Sequence, residues 1–177
     1  MGALTNEEVG KYMSAHFVSC FQKVGTFRIA AGQKQGGNVA GYFCTPDSSV
    51  LHILAGPVDA DTFLREARWV IETHKLAELE ARTNRTQLQA LFRKAHAERL
   101  RHEHRHHAGA LSVSSANPSA GDLAALLGQP EARRLNRQGQ VHLLLASAPL
   151  VRIDRIYALV LEKILNERIS TNPVASD

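Results

Sequence analysis

Apolar residues between positions 38 and 74 change their period once, and that change lays out the centre of the chain. Over 39–44 they run almost unbroken, with Tyr42 and Phe43 favouring a strand. Thr45-Pro46-Asp47-Ser48-Ser49 reads as a turn, because Pro presets φ and Asp and Ser bond back to their own backbone. Val50-Leu51-His52-Ile53-Leu54-Ala55 is a second β-rich run, closed by Gly56-Pro57. Two such runs across a short polar turn predict an antiparallel hairpin. The period then becomes helical. Phe63, Ala67, Val70, Ile71 and His74 share one face, Asp59 stands at the N-cap and Asp61 in the first turn.

Upstream, Thr5-Asn6-Glu7-Glu8 opens a short helix with Val9, Tyr12, Met13 and His16 along one side. Residues 16–24 are β-rich with apolar side chains at both parities, as in a strand covered on both faces. Gly25 breaks it, 26–31 is ambiguous, and 32–37 (GQKQGG) is a flexible loop that lacks the spacing of a phosphate loop. Downstream, 75–107 has no Gly or Pro and is rich in helix formers. Leu76, Leu79, Leu88, Leu91, Phe92, Ala95 and Leu100 form an incomplete apolar stripe, which Asn84-Arg85-Thr86 interrupts as a bend or a fresh cap. An unbroken helix from 60 to 105 would reach roughly 70 Å at about 1.5 Å per residue and would need later helices or another chain to pack on. Its periodicity is too irregular for a coiled coil. Residues 108–119 are a linker. Ser119 caps a helix over 120–127 that ends at Gly128, and Pro130 suits the first turn of the next. Residues 138–148 favour helix over strand. Residues 151–169 predict a long helix with Ile153, Ile156, Tyr157, Val160, Ile164 and Leu165 on its apolar face, broadened by Leu159 and Leu161.

Composition narrows the function classes. At 177 residues and 44% apolar, the chain can bury a proper core. The formal charge of +4 is modest and mixed with acids, and only 6% of residues are aromatic, which argues against a nucleic-acid partner. No apolar run is long enough for a membrane span, and the N-terminus lacks the pattern of a signal peptide. Two cysteines make no disulfide scaffold, so a cytoplasmic location is the default.

The order helix, strand, loop, hairpin, helix resembles the thioredoxin-like fold. The resemblance rests on His16-Phe17-Val18, on Tyr42-Phe43-Cys44-Thr45-Pro46-Asp47-Ser48, on the closing strand from Val50 to Gly56, and on the helix from Asp59 to His74. It covers about residues 5–75 and implies an α/β fold, a small sheet with helices, followed by an α-helical extension over 76–177. The family's redox enzymes carry CxxC at a helix start, where the helix N-terminus lowers a thiol pKa. Here the corresponding region holds Cys20 alone, and Val39 stands where the family places a cis-proline. The resemblance would set the strands of Cys20 and Cys44 side by side. The pair is therefore a candidate redox or disulfide site, against the reading of both as small buried apolar residues.

A second chemical candidate closes the arm of 76–107. In Arg101-His102-Glu103-His104-Arg105-His106-His107, His102 and His106 are four apart and would share a helix face, as zinc or copper ligands do. His104 and His107 belong to the same cluster, and His96, Glu98 and Glu103 are available as further ligands. The alternatives are a pH-sensitive or anion-binding patch and a solvated helix end. His52 reads as an outer-face strand residue and His142 as a satisfied core histidine. Capping and solubility account for Asp59, Asp61, Glu66 and Glu72. No HExxH, CxxC or GxSxG motif occurs. The sequence therefore points to a non-catalytic interaction or scaffold protein that binds a protein partner or a second copy of itself through its helices. The alternatives are a thiol-redox protein and a metal-binding protein.

Overall fold

The computed structural model describes residues 3–22, 28–30, 33–35, 39–82, 84–105, 117–167 and 169, with the backbone alone for 28–30 and 33–35. It is a mixed α/β structure, mostly helical. A 3-10 turn (Ala3–Thr5) leads into helix α1 (Glu7–His16), where the Asn6 side chain accepts from the Glu8 and Val9 amides. Two short antiparallel ladders follow. One pairs β1 (Arg28–Ala30), in the stretch whose sequence is ambiguous, with β2 (Gln33–Gln35), inside the segment that reads as a loop. The other pairs β3 (Ala40–Cys44) with β4 (Val50–Ala55). The predicted strand over 16–24 does not form in its described part. His16 ends α1, Phe17 folds onto the core, and Val18 and Phe21 are exposed along an irregular segment.

The β3–β4 hairpin forms as its pattern predicts. In the turn, Ser48 adopts a left-handed φ of 66°, and Asp47 takes hydrogen bonds from the Thr45 and Ser49 hydroxyls. All of β4 except Ala55 is buried, so it is covered on both faces. One apolar cluster joins Phe43, Leu51 and Leu54 to Phe63, Leu64, Ala67 and Val70 of α2 (Ala60–Ala81) and to Phe92. A second joins Val50 and Ile53 to the C-terminal helices.

The arm after α2 is not one long rod. Arg82 takes φ 45°, and Asn84 caps a new helix, α3 (Arg85–His104), by accepting from the Gln87 amide. Cross-helix pairs run antiparallel: Gln87 to Glu80, His74 to Phe92, and Arg99 to Glu66. The two helices therefore make a hairpin, and α3 is folded back over the sheet.

Ser119 and Asp122 form a capping box at α4 (Ala120–Gly128). Pro130 starts the single-turn α5 (Pro130–Arg133), and α6 (Arg137–Ser147) begins at the Asn136 cap. The final helix is shorter than its apolar pattern predicts. Regular α7 spans Ile153–Leu159, then widens into a π-helical turn at Val160–Ile164, with Leu165 donating five residues back to Val160, and Asn166 turns left-handed at φ 56°. The inner strand edge gains two bonds from this region, Val50 to the Val151 carbonyl and Ile153 to the Ser48 carbonyl. Among the described residues, no helix is long and apolar enough to cross a membrane.

Candidate metal centre

Four elements bring polar side chains together around a buried trio of histidines. His52 comes from the middle of β4, Glu66 and Trp69 from adjacent turns of α2, His96, Arg99, Glu103 and His104 from α3, and Gln138 and His142 from consecutive turns of α6. The i,i+3 and i,i+4 spacings within each helix aim these groups the same way. His52, His96 and His142 are fully or almost fully buried, at 0, 1 and 0% exposure. Their ring centroids lie 5.2–5.7 Å apart. One nitrogen from each ring falls within 4.8 Å of the others. Trp69 stands edge-on to all three rings, Phe43 stacks on His52, and Phe92 lies against His96.

The outer nitrogens are held. His52 Nε2 lies 3.1 Å from a Glu66 oxygen, and His96 Nε2 lies 2.9 Å from the Leu51 carbonyl. Glu66 is itself gripped by Arg99, whose Nη1 and Nη2 both donate to the carboxylate, the latter at 2.9 Å. Arg99 also donates to Glu103, at 2.6 and 3.0 Å, and lies 4.7 Å from the centre of the Trp69 ring. Burial opposes ionisation of Glu66, but hydrogen bonds from His52 and Arg99 outweigh it and hold the carboxyl well below its usual range. Burial likewise opposes the charge on Arg99, and its bonds to Glu66 and Glu103 keep it a cation.

The histidines are neutral. Burial lowers His52 more than its Glu66 partner raises it. Burial, with His52 close by, pushes His96 down to about 3, and burial, with His96 and His52 close by, drives His142 further in the same direction. Neutral imidazoles keep a lone pair, which a metal ligand requires. Because ionised Glu66 can only accept, His52 carries its proton on Nε2. Its Nδ1 is then a buried lone pair without a partner among the described residues.

Several of these residues reverse the sequence reading. His52 is not an outer-face residue, because α2, α3 and α6 cover the strand on the side it faces. Glu66 is not a solvent-face carboxylate but is 3% exposed, because α3 folds back onto α2 and brings Arg99 to it. His142 is a core histidine as read, yet its Nε2 has no partner among the described residues. The two histidines of the 102–107 cluster whose placement is described, His102 and His104, face different surroundings. His102 is exposed beside Arg101, His104 turns inward against α6, and His106 and His107 lie outside the described residues. Glu98 is exposed, and His96 belongs to the buried cluster. Cys20 and Cys44 are both free, the first exposed and the second half-buried at the end of β3. Burial, then Cys20 and Asp47, push the Cys44 thiol up to about 11, so it stays protonated at neutral pH.

The only sequence signal for the cluster was its helical spacing, 92/96/99/103 on α3 and 138/142 on α6, and that spacing does not say which faces meet. Comparison of the chain with protein-family models, with curated proteins and with solved structures gives no match.

Proposed function

We propose that this protein binds a divalent first-row transition ion, zinc in the first place, between His52, His96 and His142, and that the ion serves structure rather than catalysis. The observation that carries this is the unpartnered Nδ1 of His52, buried and beside two further imidazoles. An orphaned buried lone pair costs about 1–3 kcal/mol, and a bound ion removes that cost. The outer nitrogens supply the second support. Metal-binding histidines commonly donate their other N–H to a carboxylate or a backbone carbonyl, and Glu66 and Leu51 accept here in that way. The His96 Nδ1 and His142 Nδ1 atoms are 3.0 Å apart, close to the ~3.3 Å between two nitrogens bonded tetrahedrally to zinc at about 2.0–2.1 Å. Zinc has no geometric demand of its own, whereas copper(II) prefers a tetragonal set. The aromatic walls of Trp69, Phe43 and Phe92 favour a holding role over turnover of a substrate.

Titration calorimetry of the full chain with zinc tests the site. One ion per chain is expected. His52→Gln and His142→Gln should abolish binding, while His102→Ala/His106→Ala/His107→Ala should leave it intact. Binding that follows the second set, or no binding at micromolar zinc, overturns the reading.

The chain also exposes Leu76 and Leu79, one helical turn apart on α2, at 61 and 75%. That pair favours the self-association expected from the sequence, through the outer face of the helical hairpin. Light scattering should give a dimer mass that Leu76→Glu/Leu79→Glu halves; a monomeric wild type sinks the idea.

A further inference from the structure

The hydrogen bonds of the cluster fix its tautomers in turn. The Leu51 carbonyl only accepts, so His96 carries its proton on Nε2 and presents a lone pair at Nδ1. That lone pair faces His142 Nδ1 at 3.0 Å, so His142 carries its proton on Nδ1. His142 Nε2 is therefore a lone pair, buried and without a donor among the described residues. A second such atom belongs to a neighbouring ring. His104 Nε2 is also buried without a partner among them, the two rings are 5.8 Å apart, and a nitrogen of each lies within 4.8 Å of a Glu103 oxygen. The backbone is shaped to admit His104 here: a Cβ on Gly139 would meet the His104 ring at 3.2 Å.

An ion between His52, His96 and His142 needs the His142 Nδ1 lone pair, and in the metal-free protein that atom holds a proton. We propose that His104 is the positioning residue for this ligand: on metal binding, His142 passes from its Nδ1–H to its Nε2–H tautomer, and His104, with Glu103 beside it, accepts the new N–H directly or through one water. This rests on the zinc reading above. The exchange balances within the ring. The N–H bond at Nδ1 breaks, its proton passes to solvent and its electron pair is free to form the metal–nitrogen bond; one proton from solvent is taken up by the Nε2 lone pair, and the imidazole stays neutral. Each of the three ligands then donates outward, His52 to Glu66, His96 to the Leu51 carbonyl and His142 to His104, which is the outer-shell pattern of imidazole metal sites. The two orphaned nitrogens of the metal-free protein are then both partnered in the loaded one, directly or by way of that water.

Imidazole 15N correlation spectra of the full chain, recorded without zinc and at zinc saturation, read the tautomer directly. His142 should exchange its protonated nitrogen, while His52 and His96 keep theirs. His104→Phe fills the space without an acceptor and should weaken zinc about ten- to a hundredfold. His104→Gln, whose carbonyl accepts, should restore most of that loss. If His104→Phe fails to fold, the wild-type spectra decide alone. A His142 that keeps its Nδ1 proton at saturation, or variants that both bind like wild type, overturn the role of His104 and leave the zinc site standing. A wild-type chain that takes up no zinc removes the site itself, and this inference with it.

Discussion

Arg99 touches most of what makes the buried centre possible. It joins two carboxylates, lies over Trp69, and stands on the same turns of α3 as His96 and Glu103. A guanidinium suits this place because its planar fork meets a carboxylate with two parallel N–H bonds. Removing it leaves the Glu66 charge buried beside neutral histidines. Arg99→Met should therefore destabilise the protein by about 3–5 kcal/mol, as breaking one side of a buried ion pair does, measured by urea unfolding. Glu66→Gln keeps the shape and an acceptor for His52 but drops the charge that fixes the His52 tautomer. Its expected mark is on the metal, with zinc affinity about 10–100-fold lower by calorimetry. An unchanged affinity would mean that Glu66 does not orient His52.

Helix α3 owes its position to a local event at Asn84. The residues around it are good helix formers, and a continuous rod would carry His96 and Arg99 away from the sheet. The left-handed Arg82 and the Asn84 cap turn the chain back instead. Asn84→Ala should cost about 1 kcal/mol, the usual worth of such a cap, read from thermal or urea unfolding. At the other end of the same contact, Gly139 lets α6 approach His104. Alanine there gains up to about 1 kcal/mol of helix preference and loses part of it to crowding. Gly139→Ala should leave stability within about 1 kcal/mol of wild type while weakening zinc, because it pushes His104 off its seat. Equal zinc affinity in the two proteins counts against that seat.

The molecule as a whole should be sensitive to acid when metal-free. In the native state His96 stays neutral down to about 3, whereas in the unfolded chain a histidine charges near ~6.5. Below that point the unfolded state binds more protons, so stability is full above about pH 6.5 and falls as the pH drops toward 3. By pH 5 His96 alone removes about 2 kcal/mol, from a total that for small domains is about 5–15. His52 and His142, also lowered by burial, act in the same direction. Glu66, held below its usual value, adds to the loss once the pH falls under about 4.3. Circular dichroism against pH should show cooperative unfolding by about pH 4, with zinc moving the midpoint lower. A metal-free chain still native at pH 3.5 would mean that the histidines are not buried neutral.

Local chemistry was enough to foresee several elements. The Thr45–Ser49 turn, the caps at Asp59 and Ser119, and the helix starts within Thr5–Glu8 and at Pro130 each depend on a few neighbours along the chain, so their residues alone predicted them. Strand β4 could be read from its β-rich run, but which of its side chains would be buried could not. Val50 and Ile53 pack on helices that begin about seventy residues later, and His52 is enclosed by α3 and α6 as well as by the nearby α2, so only packing turned His52 from a surface residue into the middle of a site. The same holds for the histidines. His96 and His142 lie 46 positions apart and meet because α3 folds back and α6 lies across it. The sequence placed one imidazole on each of three elements, and the tertiary structure decided that these three converge, because burial and convergence depend on contacts far apart along the chain.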